Sequence, residues 1–239
     1  RNSINIMETE GDWRRAAEQT WVVRFPKQKL ATFGLTNVAY YVVTEPIYQD
    51  LDSGKREGVV RTGRVIAERP TVVTPTYALN LNGFSSEAYD YFRHIANESG
   101  PNSPGILYQY KNEIGKMDIV GGEPRDVANN ISDDLDRRKE DLAVVMIGVD
   151  ELWDVALLKF IYEFTSSSMA GNVQEFQSKG MLSPQPQYGG LPQAATQRIN
   201  RMFDEVKNGG SVEVLKAELD RWGVFKFYEG RFLALFRRK

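Results

Sequence analysis

Apolar positions change their spacing along this chain, and the changes divide it into blocks. Between residues 8 and 80 they come in short runs rich in Val, Tyr and Phe: WVVRF, LATFGL and NVAYYVVTEP. Such runs, punctuated by proline and glycine, predict strands. The polar stretch DLDSGKREG (Asp50–Gly58) predicts a loop. VVRTGRVIAERPTVVTP follows and fits either one long strand or a hairpin turning at Thr62-Gly63. Pro70 and Pro75 confine the next piece to an edge strand or an extended connector.

The spacing then becomes helical. In FSSEAYDYFRHIANESG, residues 84–100, Ala88, Tyr91, Phe92 and Ile95 share one face, with Ser85 or Ser86 as N-cap and Gly100 at the C-terminal stop. ILYQYKNEIGKMDIVGG predicts two strands separated around Asn112–Gly115. From Glu123, EPRDVANNISDDLDRRKEDLAVVMI predicts a helix. Pro124 stands in its first turn, with acids early and bases later, which suits the helix dipole.

GVDELWDVALLKFIYEFTSSSM (Gly148–Met169) predicts a buried helix capped by Asp150. Trp153, Ala156, Leu157, Phe160 and Phe164 lie on one face. Truncating Trp153 or Phe160 to Ala is expected to cost about 3–5 kcal/mol. A carboxylate cluster of Asp150, Glu151 and Asp154 around a cation is the competing reading, but Asp150 is better used as a cap and Glu151 points elsewhere. Ser166–Ser168 predict a fraying or capping run. GNVQEFQSKGML predicts a short helix, and SPQPQYGGLPQ (Ser183–Gln193), with three prolines and two glycines, predicts a linker. AATQRINRMFDEVKNGG and SVEVLKAELDRWG predict two helices. VFKFYEGRFLALFRRK, with its alternating apolar residues, predicts a β-hairpin turning at Glu229-Gly230.

The expected fold class is therefore α+β. A β-rich N-terminal part packs on a helical middle, followed by a helix-helix-β-hairpin, winged-helix-like C-terminal segment. The expected division is a core domain over 8–182 and a segment over 194–239. The alternative for that segment is a hairpin that completes the main sheet. No repeat of 20–50 residues is present, which argues against a solenoid.

Composition narrows the chemistry. The chain has 239 residues and no cysteine, so disulfides, thiolate metal sites and cysteine nucleophiles are excluded. The absence fits a reducing compartment, and cytoplasmic localisation is expected. No apolar run approaches the roughly 20 residues needed to span a bilayer, so no membrane partner is expected. The first residues carry no apolar leader, so no signal peptide is expected. His94 is the single histidine, which excludes paired-histidine metal and acid–base sites. Walker A, G-x-G-x-x-G and G-x-S-x-G motifs are absent, and no cofactor is expected. GGEPRD (Gly121–Asp126) reads as a tight strand-to-helix turn. SDDLDRRKED (Ser132–Asp141) reads as a solvated charged face.

Charge is unevenly spread. The whole chain carries −2, but residues 193–239 hold ten basic residues against six acidic ones. The candidate contact residues there are Arg198, Arg201, Lys216, Arg221, Lys226, Arg231, Arg237, Arg238 and Lys239. In a winged-helix layout such cations would reach phosphates. Glu213, Glu218 and Asp220 on the would-be recognition helix oppose that use. The expected function is a non-enzymatic interaction or regulatory protein contacting a protein partner or nucleic acid through this basic segment. The alternative is a hydrolase or nuclease with a carboxylate-based site.

Overall fold

The computed structural model describes residues 13–47, 56–81 and 86–236. Most of the predicted loop at Asp50–Gly58, the Ser85 cap, and Arg237, Arg238 and Lys239 lie outside them. Helices and strands are mixed in an α+β class, as expected. The chain forms two compact units, each built from discontinuous segments: residues 1–69 with 108–172, and residues 70–107 with 173–239.

The first unit holds a five-stranded sheet. Its strands are β1 (Trp21–Arg24), β2 (Thr36–Thr44), β3 (Glu57–Ala67), β6 (Tyr110–Gly121) and β7 (Ala143–Gly148), in the order β1-β7-β2-β3-β6. Strands β2 and β7 run parallel, and the other neighbours are antiparallel. Helix α3 (Pro124–Arg137) covers one face and helix α4 (Trp153–Ser178), whose residues to 172 belong to this unit, covers the other. The two cores follow from strict alternation. Val144 and Met146 of β7 pack with Phe160 and Phe164 of α4, whereas Ala143, Val145 and Ile147 pack with Val127 and Leu135 of α3.

That double burial explains the main departure from the sequence reading. The predicted helix from Glu123 to Ile147 ends at Arg137, and Lys139 turns the chain with a φ of 57°. AVVMI is a central strand buried on both sides. Such a strand is apolar at every position, so its period cannot distinguish it from a buried helix. VVRTGRVIA is one long strand rather than a hairpin. LATFGL is irregular. Its Leu30 N–H donates to Ser168 Oγ (3.1 Å), and its Leu30 carbonyl and Thr32 hydroxyl accept from Asn172 Nδ2 (2.9 and 2.8 Å). The serine run is therefore mid-helix, and GNVQEFQ continues the same helix. The two strands predicted around Asn112–Gly115 are one strand with a bulge: Arg61 faces Met117 while Gly63 faces Ile114. A Cβ on Gly63 would overlap the Tyr40 hydroxyl and the Glu113 carbonyl, so glycine lets the Tyr40 ring lie flat across β3.

The second unit is mainly helical. It contains the ribbon β4 (Thr71–Val73) with β5 (Gly105–Leu107), α1 (Pro75–Leu79), α2 (Ser86–Ser99), the ribbon β8 (Pro184–Gln185) with β9 (Leu191–Pro192), and α5 (Gln193–Lys207), α6 (Val212–Arg221) and α7 (Phe225–Ala234). The Pro/Gly-rich stretch is thus a tight hairpin. Gly189 and Gly190 both adopt positive φ, and Leu191 is buried.

The predicted C-terminal β-hairpin does not form, so the winged-helix layout lacks its wing. Phe225–Ala234 is a helix. Val224, Tyr228 and Phe232, four residues apart, are buried with Phe203 and Trp222, while Glu229 and Gly230 face solvent. Glycine inside a helix costs about 1 kcal/mol. Burial of each large side chain returns roughly 1.5–3 kcal/mol, which decides the outcome.

Candidate functional site

Three places concentrate chemistry. The first is at the carboxyl ends of the parallel strands β2 and β7, where a cleft of roughly 730 Å³ is lined by Glu45, Ile47, Glu123, Arg125, Asp150 and Glu151 among others. Beside it, Thr44 ends β2 and Arg61 reaches across from β3. Arg61 Nη1 donates to Asp150 Oδ1 (2.6 Å) and to Thr44 Oγ1 (3.0 Å), and the Thr44 hydroxyl donates to Asp150 Oδ1 (2.6 Å). Both charged side chains are largely buried, and Arg61 lies over the Trp153 ring at 5.8 Å. Asp150 therefore does not cap α4 as predicted; it anchors the loop leading into that helix. Glu123 is paired with Arg56 (2.9 Å), and Arg125 lies over the Trp21 ring (5.2 Å). The cleft is acidic and wide. Among the described residues, no group of three or more His, Asp or Glu side chains converges as metal ligands.

The second place is the basic C-terminal segment. Glu218 is buried at its centre. Its carboxylate accepts from Arg198 Nε (3.0 Å), Arg221 Nη1 (3.3 Å), Trp222 Nε1 (3.1 Å) and the Tyr77 hydroxyl (3.3 Å). Burial first, and the adjacent carboxylate second, push the Tyr77 phenol above its ordinary value of 10.0. Two of the predicted contact residues, Arg198 and Arg221, thus neutralise a buried acid. Lys216 pairs with Asp220 (2.6 Å) and lies over the Phe225 ring. Arg231 stacks on Phe203 at 4.1 Å and donates to Asn200. Arg201 and Lys226 are exposed on α5 and α7. The structure brings Arg198 and Arg221 together around one acid. The signal for this was the apolar-faced helix carrying Glu218 itself.

The third place is β6, which sequence reasoning did not single out. From Lys111 onward every residue of this twelve-residue strand is exposed, and among the described residues no strand pairs with its outer side. Ile114 (71% exposed), Met117 and Ile119 are opposite Gly63, Arg61 and Val59 on the α4 face. The other face carries Lys111, Glu113, Lys116 and Asp118, paired along the strand as Lys111–Glu113 and Lys116–Asp118, both at 2.8 Å. The hydrogen bond to Glu113 raises the Lys111 ammonium above its ordinary value, and the same contact lowers the Glu113 carboxyl. His94, by contrast, is exposed on α2 and lies 3.3 Å from Glu98.

Comparison with known proteins adds little. No family model matches, and no solved structure matches. A Drosophila melanogaster protein named "Protein DOP1 homolog" is 25% identical over 133 residues, which is 54% of this chain. The match spans 5% of that protein's length. Among the described residues no helix is long and apolar enough to cross a membrane.

Proposed function

We propose that this chain is a non-enzymatic interaction protein that binds a protein partner along β6. The observation that carries the reading is the exposed twelve-residue edge strand with Ile114, Met117 and Ile119 in one row. An open edge of this length, with an apolar row beside it, suits strand addition. There, main-chain hydrogen bonds give affinity and alternate side chains give specificity. A protein partner is favoured over nucleic acid because Arg198, Arg221 and Lys216 are already paired with Glu218 and Asp220. The test is a photo-crosslinking residue placed at Ile114, with exposed Leu35 as control. Protein adducts from Ile114 and none from Leu35 support the reading; no adduct from Ile114 ends it.

A carboxylate-based hydrolase or nuclease is the second reading, favoured by the cleft that Glu45, Glu123 and Glu151 help to line. Its test is turnover on ester, phosphoester and glycoside panels. Activity lost in Glu45→Gln and Glu151→Gln, with the fold intact, would establish it.

A further inference from the structure

The charge order on β6 specifies more than a sticky edge. Along the strand it runs positive, negative, positive, negative at Lys111, Glu113, Lys116 and Asp118. Reversed end for end, the pattern becomes its own complement. An antiparallel pairing that sets Lys111 opposite Asp118 of a second copy also sets Glu113 opposite Lys116 of that copy. By two-fold symmetry each pair occurs twice. Directly opposed residues of antiparallel strands share a face, and opposite charges there are favourable while like charges repel.

Neighbouring registers that keep the faces matched are disfavoured. A shift of two residues one way opposes Glu113 to Asp118, and the other way opposes Lys111 to Lys116. Register is thus selected by repulsion as well as attraction. The bulge between Ile114 and Met117 serves the same alignment. In this register the bulge brings Ile114 of the two copies together across the two-fold axis, Asn112 faces Met117 of the second copy, and Ile119 faces its Tyr110. The exposed apolar rows of the two copies then join into one on the α4 face. The present Lys111–Glu113 and Lys116–Asp118 contacts are between exposed groups, so exchanging them across a dimer costs little.

We infer that the chain forms a two-fold dimer through antiparallel β6–β6 pairing, with Lys111 opposite Asp118, giving a continuous ten-stranded sheet. The inference rests on β6 being the binding edge and names the partner as a second copy.

Sedimentation equilibrium over a wide concentration range tests it, using the full chain of 27.2 kDa. The wild type is expected at twice that mass. Lys111→Glu places two acids opposite each other, and Asp118→Lys places two bases, so each variant alone is expected as a monomer. Mixed in equal amounts, they are expected to dimerise, because one strand is then acidic at both positions and the other basic at both. Misfolding of either variant could not produce that rescue. A monomeric wild type at all concentrations, single variants that stay dimeric, or a mixture that stays monomeric would each overturn the proposal. A monomer that still crosslinks to another protein through Ile114 would refute self-pairing and leave the interaction reading standing. A monomer with no crosslink would end both.

Discussion

The two edges of the five-stranded sheet are finished in opposite ways. Strand β1 is four residues long, its register is broken between Val22 and Arg24, and it ends in a side chain that ties it down. Arg24 is buried and donates to Asp136 (3.0 and 3.1 Å), to the Ala143 carbonyl (2.6 Å) and to the Glu140 carbonyl (2.8 Å). Strand β6 is three times as long, exposed on both faces, and its charges pair with each other. A short, bulged, anchored edge resists further pairing. The fold thus closes one edge and leaves β6 long, with charges alternating in sign along one of its faces.

Breaking the closed edge should have the largest effect. Arg24→Ala removes a charged donor from two carbonyls and is expected to lower unfolding free energy by about 3 kcal/mol, read from the denaturant midpoint. Gly63→Ala should come next. Its methyl would press on Tyr40 and on the Glu113 carbonyl, and overpacking of this kind costs about 2 kcal/mol. That change loosens the β2–β3–β6 ladder and should sharpen hydrogen exchange in β6 before β1.

Acid should separate the edges more gently. Hydrogen bonds from Lys27 and then Arg24 hold the Asp136 carboxyl below its ordinary value of 3.8. A depressed folded value contributes stability that is fully present above 3.8 and is lost as pH falls through the lower folded value. Lys27→Met should therefore lower stability slightly at neutral pH and flatten the acid limb, so that variant and wild type converge once Asp136 is protonated in both. The smallest effect on stability belongs to the open edge. Ile114→Asp should stay within about 0.5 kcal/mol of wild type in thermal melts run dilute enough for both to be monomers, as surface substitutions do, while abolishing association in sedimentation.

Much of this fold could be read from spacing alone. The helices at 193–207 and 212–221 carry a clear apolar face and turn signals at their ends, and the face of α4 named from its period is the face that is buried. The helix at 86–99 forms where its spacing places it, but Tyr91 of its predicted apolar stripe is exposed. Legibility failed where tertiary context replaces period. AVVMI lost its alternation because both sides are covered. Asn112–Gly115 looked like a turn because Asn and Gly usually mark one, yet Gly115 sits in a bulge where a Cβ would press on the Thr62 carbonyl. Phe225–Phe236 contains both an alternating and a helical apolar pattern, and only the neighbours Phe203 and Trp222 choose between them. The candidate sites fared worse for the same reason. Arg198 and Arg221 count as surface cations in a sequence, and become counter-ions only when Glu218 is buried between them. The edge status of β6 depends on strand order, which no local pattern encodes.

The division of the chain into interleaved segments also bears on synthesis. Ala67 and Tyr110 are opposite one another at the end of the β3–β6 ladder, so the chain leaves the first unit and re-enters it almost at the same point. Everything the first unit needs has been made once residue 172 is available. The second unit receives residues 70–107 early, but Leu215, Trp222 and Phe232 of its core come last. On a ribosome, the sheet can close while α1 and α2 still wait for the helices that bury Tyr77. During that interval the incomplete helical unit, rather than the sheet, is the part a chaperone would have to shield.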